Sequence, residues 1–218
     1  ADSSVTVSVQ ITDEFGATTV VDVEVELRME EGIPAPIADL RVANFNASLN
    51  RASAGALIDD LSTPDNAQAK SMAEIIQLAN ADVILINEFD YDADGKALEN
   101  FLVNYLEVSQ NGLDPVSYPY SYNAPSNTGI PSGMDFDNDG SVGGPGDAYG
   151  FGFHEGQFGM VLLSKYPIAE NEVRTFQTFL WKDMPGALLP PDPSDTDGDA
   201  DLSSYYSDDE LDVSRLSS

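Results

Sequence analysis

Apolar residues mark every second position at the start of the chain. Val5, Val7, Val9 and Ile11 alternate with polar residues, and Val21, Val23, Val25 and Leu27 do so again with Asp22, Glu24 and Glu26 between them. Period-two alternation sends successive side chains to opposite faces of a strand, so residues 4–29 are predicted as a β-hairpin turning at Asp13-Glu14-Phe15-Gly16. Two strands alone are marginal in water. The pair therefore reads as the closing hairpin of a β-sandwich, with an N-terminal ribbon of the following domain as the alternative. Glu30-Glu31-Gly32-Ile33-Pro34-Ala35-Pro36 has two prolines and no periodicity, the composition of an extended linker, and the domain boundary is placed there.

The pattern then changes. Leu40 to Phe45 is a short apolar run suited to a buried strand. Thr63 is predicted to cap a helix, with Pro64 at its first position and Asp65 near the positive end of its dipole. Met72, Ile75, Ile76 and Ala79 recur at helical spacing and are predicted as its buried face. Asn80-Ala81-Asp82 ends that helix, and Val83-Ile84-Leu85-Ile86 reads as a second buried strand. Leu98, Phe101, Leu102 and Tyr105 mark another amphipathic helix, and Gly159 to Ser164 a third central strand. Strands alternating with helices argue an α/β layered domain.

Residues 111–158 are rich in Gly, Pro, Asn, Asp and Tyr, and so long a loop region predicts a function or an ordering ligand. Within it, Tyr118, Tyr120 and Tyr122 alternate. They fit one tyrosine face of a strand, or, with Asn123 and Asn127, a stacking surface for a nucleotide or sugar phosphate. Phe176 to Leu189 holds the lone Trp and reads as core packing with Lys182 exposed. The stretch from Pro190 onward is acidic and proline-bearing.

Composition narrows the functions. Of 218 residues, 38 are acidic and 9 basic, a formal net charge of −29. Such a surface repels nucleic acid, phosphoesters and anionic membranes unless cations intervene. It suits a salty or calcium-rich exterior, so a secreted or cell-surface location is expected. The chain is 42% hydrophobic, enough for a core. It has no apolar run of about 18 residues, so no membrane-spanning helix is predicted. Without cysteine there is no disulfide, thiolate metal site or cysteine nucleophile. Ala1-Asp2-Ser3-Ser4 lacks the basic and apolar regions of a secretory signal, so the chain is expected to be mature or cut from something longer.

Two predicted strands end in polar residues, Asn44-Phe45-Asn46 and Asn87-Glu88. Groups at the carboxyl ends of neighbouring strands in an α/β sheet converge on a ligand crevice. An amide oxygen and a carboxylate there are hard ligands for Mg²⁺, Mn²⁺ or Ca²⁺. Asn46 starting a turn and Glu88 on the surface is the plainer alternative. A second constellation is Asp135-Phe136-Asp137-Asn138-Asp139-Gly140, with carboxylates at alternate positions and then glycine, as at the start of a calcium loop. Gly146 stands where the bidentate acid of such a loop belongs, and Asp147 beside it could substitute; a solvated acidic turn is the alternative. Asp195 to Asp201 echoes the pattern but reads as an acidic linker. The single histidine, His154, reads as a loop or surface residue, with general acid–base work as its sharper alternative.

The stretches RVANFNASLN, DVILINEFD and GQFGMVLLSKYPI, in that order, resemble the endonuclease/exonuclease/phosphatase superfamily of metal-dependent phosphoesterases, closest to its large-loop secreted members. The family's first strand ends in a Phe/Trp-Asn pair, here Phe45-Asn46. Its second carries an apolar run that opens on Asp and ends in Asn/Gln-Glu, here Asp82 through Glu88. Its third is Gly, an apolar strand and Ser-[KR]-x-Pro-Ile, here Gly159 to Ile168. The resemblance implies an α/β fold, part of a two-layer β-sandwich flanked by helices, with catalytic residues Asn46 and Glu88. Glu88 would hold Mg²⁺ or Mn²⁺, and Asn46 would orient the metal or the phosphate. In such enzymes divalent ions polarise the phosphoryl oxygens and a histidine-assisted water attacks phosphorus in line. Asp90 stands where many DNA-cleaving members carry a basic residue, which weakens the case for tight duplex binding.

The family's later His-bearing strand, Gly-Asp-x-Asn and Ser-Asp-His motifs do not occur here. The expected organisation is therefore 1–29 as the end of a cadherin-like or immunoglobulin-like repeat and 30–37 as linker. Residues 38–190 form the N-terminal part of a phosphoesterase domain and 191–218 an acidic linker or insert. The missing C-terminal half is an expected partner, and this fragment alone is expected to be inactive. The expected substrate is a phosphoester, with nucleic acid reached through metal ions. The rival expectation is a non-catalytic calcium-binding adhesion module, with structural Ca²⁺ at Asp135, Asp137, Asp139 and Asp147.

Overall fold

The structure, a computed structural model, describes residues 3–12, 18–27, 39–188 and 206–215, the first two segments as backbone only. The chain divides into two units, Ala1–Asp39 and Leu40–Ser218. In the first, β1 (Ser3–Thr12) and β2 (Thr18–Leu27) pair antiparallel, with Val5, Val7 and Val9 opposite Val25, Val23 and Val21. The alternation on both strands thus shares one register. The turn expected at Asp13–Gly16 and the linker at 30–36 lie outside the described residues, as does Asp195–Asp201.

The second unit is an α/β layer. Its strands are β3 (Val42–Leu49), β4 (Val83–Phe89), β5 (Tyr120–Asn123) and β6 (Met160–Ser164), in the order β3-β4-β6-β5. β3 and β4 run parallel, and β6 is antiparallel to β4 and to β5. One face of this mixed sheet is covered by α1 (Ala56–Leu61), α2 (Ala67–Ala79) and α3 (Lys96–Phe101), the last continuing as a π-helical turn over Leu102–Leu106. Ile84, Ile86, Val161 and Leu163 bury their side chains on that face with Ile76, Phe89, Phe101 and Tyr105. The Phe101 ring lies 5.7 Å from Phe89 and 6.0 Å from Tyr105, centroid to centroid.

The other face presents Val42, Asn44 and Asn46 from β3, Leu85 and Asn87 from β4, and Met160 and Leu162 from β6. There Leu85, Leu162, Met160 and Tyr122 line a concavity of about 550 Å³ with Pro125 and Phe176. Alternation along the strands accounts for both faces.

The elements match the local signals in kind and differ in detail. β3 runs to Leu49, four residues beyond the predicted end. α2 is capped by Asn66, whose side-chain oxygen accepts the Ala69 N–H at 3.0 Å, and not by Thr63. The reason is Tyr105. Its hydroxyl donates to the Thr63 carbonyl (2.5 Å) and accepts the Asn66 N–H (3.1 Å), holding residues 63–66 as a turn. The buried face of α2 is Ala69, Ala73, Ile76 and Gln77, whereas Ile75 is 45% exposed. Small residues let the helix lie close to the sheet. Gln77 is buried with its amide donating to the Leu106 and Val108 carbonyls (2.9 and 2.8 Å) at and beyond the end of the π turn.

Two further expectations fail. No described residue from Phe176 to Leu188 is buried, and Phe176 is 58% exposed, so that segment is not core. It is tied instead to residues 206–215, through the Trp181 N–H on the Ser214 carbonyl (3.0 Å) and a bridge between Leu180 and Arg215. The three tyrosines form no single face. Tyr118 precedes β5 and is buried, its hydroxyl on the Ala81 carbonyl at 3.0 Å, while Tyr120 is exposed and Tyr122 half-buried. Burial pushes the Tyr118 hydroxyl up to about 12.

Candidate functional site

The carboxyl ends of β3 and β4 do not run in simple register. Asn46 pairs with Asn87 and Leu49 with Phe89, so two residues of β3 stand against one of β4. That bulge puts Ser48 at φ 49° and Glu88 at φ 56°, a left-handed backbone in which an L side chain is strained. The consequence is a re-aimed carboxylate. Glu88 Oε1 accepts the Asn46 side-chain N–H at 2.7 Å, and Oε2 accepts that of Asn50 at 3.0 Å. Asn46 Oδ1 accepts the Ser48 backbone N–H at 2.9 Å, which fixes the amide with its NH₂ toward Glu88. Next to this group the Asn87 amide donates to Asn44 Oδ1 at 2.7 Å.

The tertiary structure thus brings Asn46 and Glu88 together and adds Asn50. Asn50 was missed; its only signal is a third asparagine at the end of the Asn44–Asn50 run, and the bulge that turns it toward Glu88 cannot be read from alternation. Each Glu88 oxygen accepts one hydrogen bond and keeps lone-pair capacity on its outer side. Hard oxygen donors fixed in orientation fit a divalent cation of the Mg²⁺ or Mn²⁺ type. The Glu88 carboxylate is the charged donor of this set, and the Asn46 oxygen, which accepts one hydrogen bond from the Ser48 N–H, keeps a second lone pair.

Behind Glu88 lies Asp90, 6% exposed. Its Oδ2 accepts the Arg51 N–H (2.7 Å) and its Oδ1 the Phe158 N–H (3.1 Å). Burial raises its carboxyl above the ordinary range, and these two N–H bonds oppose the rise. Asp90 therefore works inward, on the backbone. His154 is not a surface residue: its side chain is only 14% exposed, with Nε2 at 3.1 Å from the Arg51 carbonyl and 4.0 Å from Asp90 Oδ2. Gln157 donates to the same Arg51 carbonyl at 2.7 Å.

The acidic loop forms a separate feature. Carboxylate oxygens of Asp135, Asp137 and Asp139 lie within 4.8 Å of one another. Asp135 accepts the N–H groups of Asp139 and Gly140 at 3.1 and 2.9 Å. Asp147 lies outside that group and organises the loop. It is buried, its Oδ2 accepting the Gly143 N–H (2.7 Å) and its Oδ1 those of Phe136 (2.7 Å) and Asp137 (3.3 Å). These bonds, Gly143's foremost, hold its carboxyl below the usual range. A β-carbon at Gly146 would meet the Asp137 carboxylate, so a larger residue there would displace that side chain.

A family model described as Endonuclease/Exonuclease/phosphatase family matches residues 43–214. The match begins one residue into β3 and takes in Asn46, Asn50, Glu88 and the acidic loop. No curated protein and no solved structure matches the chain.

Proposed function

The chain belongs to the endonuclease/exonuclease/phosphatase family, and from that premise we propose that it serves a secreted, divalent-metal-dependent phosphoesterase whose metal ligand is Glu88. The family makes it a nuclease- or phosphatase-like hydrolase acting on phosphoesters or nucleic acid. Among the described residues no helix is long and apolar enough to cross a membrane.

One observation carries the reading: a strained left-handed residue at the carboxyl ends of two parallel strands presents a carboxylate gripped by two amides. Strain of this kind persists where the surrounding structure imposes it, and it gathers at functional sites. Glu88 and its partners hold the carboxylate plane fixed. Asn46 and Asn50 keep it oriented and Asn87 stands beside it on the open face. A bound Mg²⁺ or Mn²⁺ supplies positive charge for the phosphoryl oxygens. It also offsets the repulsion between a phosphoester and a chain of net charge −29.

A second, structural cation fits the grouped carboxylates of Asp135, Asp137 and Asp139, for which Ca²⁺ is the natural occupant of a flexible oxygen cage. The test uses the full-length protein in which this chain occurs. Hydrolysis of DNA and of bis-p-nitrophenyl phosphate is measured with Mg²⁺ or Mn²⁺, and again after EDTA. Metal-dependent turnover that Glu88→Ala abolishes is expected. No turnover, or full turnover in Glu88→Ala, overturns the assignment. Strong Ca²⁺ stabilisation without hydrolysis favours a calcium-binding module instead.

A further inference from the structure

Taking Glu88 as the ligand of the site just proposed, we propose that Asp90, His154 and Gln157 are positioning residues that clamp the Arg51 backbone and thereby hold Asn50 against Glu88. Arg51 follows Asn50 where the chain leaves β3, past the bulge. Its peptide N–H goes to Asp90 Oδ2 at 2.7 Å. Its carbonyl receives Gln157 Nε2 at 2.7 Å and faces His154 Nε2 at 3.1 Å. Both polar groups of one peptide residue are thus held by side chains, from the end of β4 and from the 150s loop.

The clamp is directional. Gln157 Oε1 accepts the Phe153 N–H at 2.7 Å, so its NH₂ must face Arg51. Asp90 spends its other oxygen on the Phe158 N–H, which ties the two sources of the clamp to each other. Gln157 is 3% exposed, so water does not replace its hydrogen bond. The loop reaches this position because Gly156, at φ 83°, lets the chain approach Tyr91, whose N–H donates to the Gly156 carbonyl at 2.8 Å. Asn50 has its own carbonyl held by Arg51 Nη1 at 2.7 Å. From that backbone its side-chain N–H reaches Glu88 Oε2 at 3.0 Å. Partners that orient a metal ligand change metal affinity by about 10–100-fold when removed.

The experiment compares wild type with Gln157→Glu, which keeps shape but turns an oxygen toward the Arg51 carbonyl, and with Asn50→Ala. NMR on the metal-free chain follows exchange of the Arg51 amide and the Asn50 side-chain NH₂ resonance. In Gln157→Glu, Arg51 exchange is expected to rise at least about tenfold and the Asn50 resonance to move, while α2 amides keep their protection. An unmoved Asn50 resonance overturns the inference. If α2 protection collapses, His154→Ala, at the most exposed member, replaces it with the same two outcomes. In a Mn²⁺ titration, Gln157→Glu and Asn50→Ala should each weaken binding about 10–100-fold. Gln157→Glu should add nothing in the Asn50→Ala background, and additive losses overturn the clamp. A wild type that binds no Mn²⁺ overturns the metal reading instead, and the metal-free NMR result still decides the clamp.

Discussion

Substituting Glu88 by alanine and by glycine isolates the strain at the site. Both changes remove the same hydrogen bonds from Asn46 and Asn50, so the difference between them reports the backbone alone. At an ordinary strand position glycine is the worse residue by about 0.5–1 kcal/mol, because it loses more freedom on folding. At φ 56° the β-carbon of alanine crowds the following carbonyl at a cost of roughly 1–2 kcal/mol, which glycine escapes. The balance reverses the usual order: Glu88→Gly should be more stable than Glu88→Ala by about 0.5–1 kcal/mol, or about 2 °C in Tm for a unit of this size. Urea unfolding in EDTA, followed by far-UV circular dichroism and Trp181 fluorescence, measures the difference free of any metal. Asn87, one residue earlier and not in the left-handed region, supplies the internal control, where alanine should win. If alanine wins at both positions by similar margins, Glu88 is not strained and the argument that the fold imposes its geometry fails.

Two other outcomes follow from packing and charge. Ile76→Ala should cost about 2–5 kcal/mol, since Ile76 is fully buried, whereas Ile75→Ala should change stability by less than about 0.5 kcal/mol; thermal unfolding distinguishes them, and comparable losses at both would restore the face predicted from periodicity. Asp82 accepts the Arg41 N–H at 2.9 Å and lies 3.4 Å from Lys165 Nζ, and the Arg41 bond first, then Lys165, keep its carboxyl below the ordinary range despite opposing desolvation. The unfolded chain therefore binds more protons between the two values, so the stabilisation is complete above about pH 4 and is lost as pH falls through the folded value. Urea midpoints from pH 5 to pH 2 should fall less steeply in Asp82→Asn than in wild type; equal slopes would refute the assignment.

Much of the fold was legible because it rests on local physics. Alternating valines, the apolar run at Val83–Ile86 and the left-handed Asn80 that closes α2 each report a preference that neighbours in sequence enforce. The cap and the inner face of α2 were not legible. They depend on Tyr105 and on a carbonyl at the end of a π turn about 30 residues away. Exposure of Phe176–Leu188 was equally hidden, since apolar content says nothing of which surface a segment meets.

The sequence by itself determined the ordered strands, the family they announce, and the choice of Asn46 and Glu88 as chemistry-bearing strand ends. It determined too that so acidic a chain must work with cations if it meets phosphate. Only the tertiary structure decided how Glu88 is aimed. A bulge between two parallel strands, a third asparagine and a clamp on Arg51 that reaches from as far along the chain as Gln157 set its direction. The physical reason is that residue type sets what a side chain can donate or accept, while its direction is set by backbone hydrogen bonds to segments that the chain brings together only on folding.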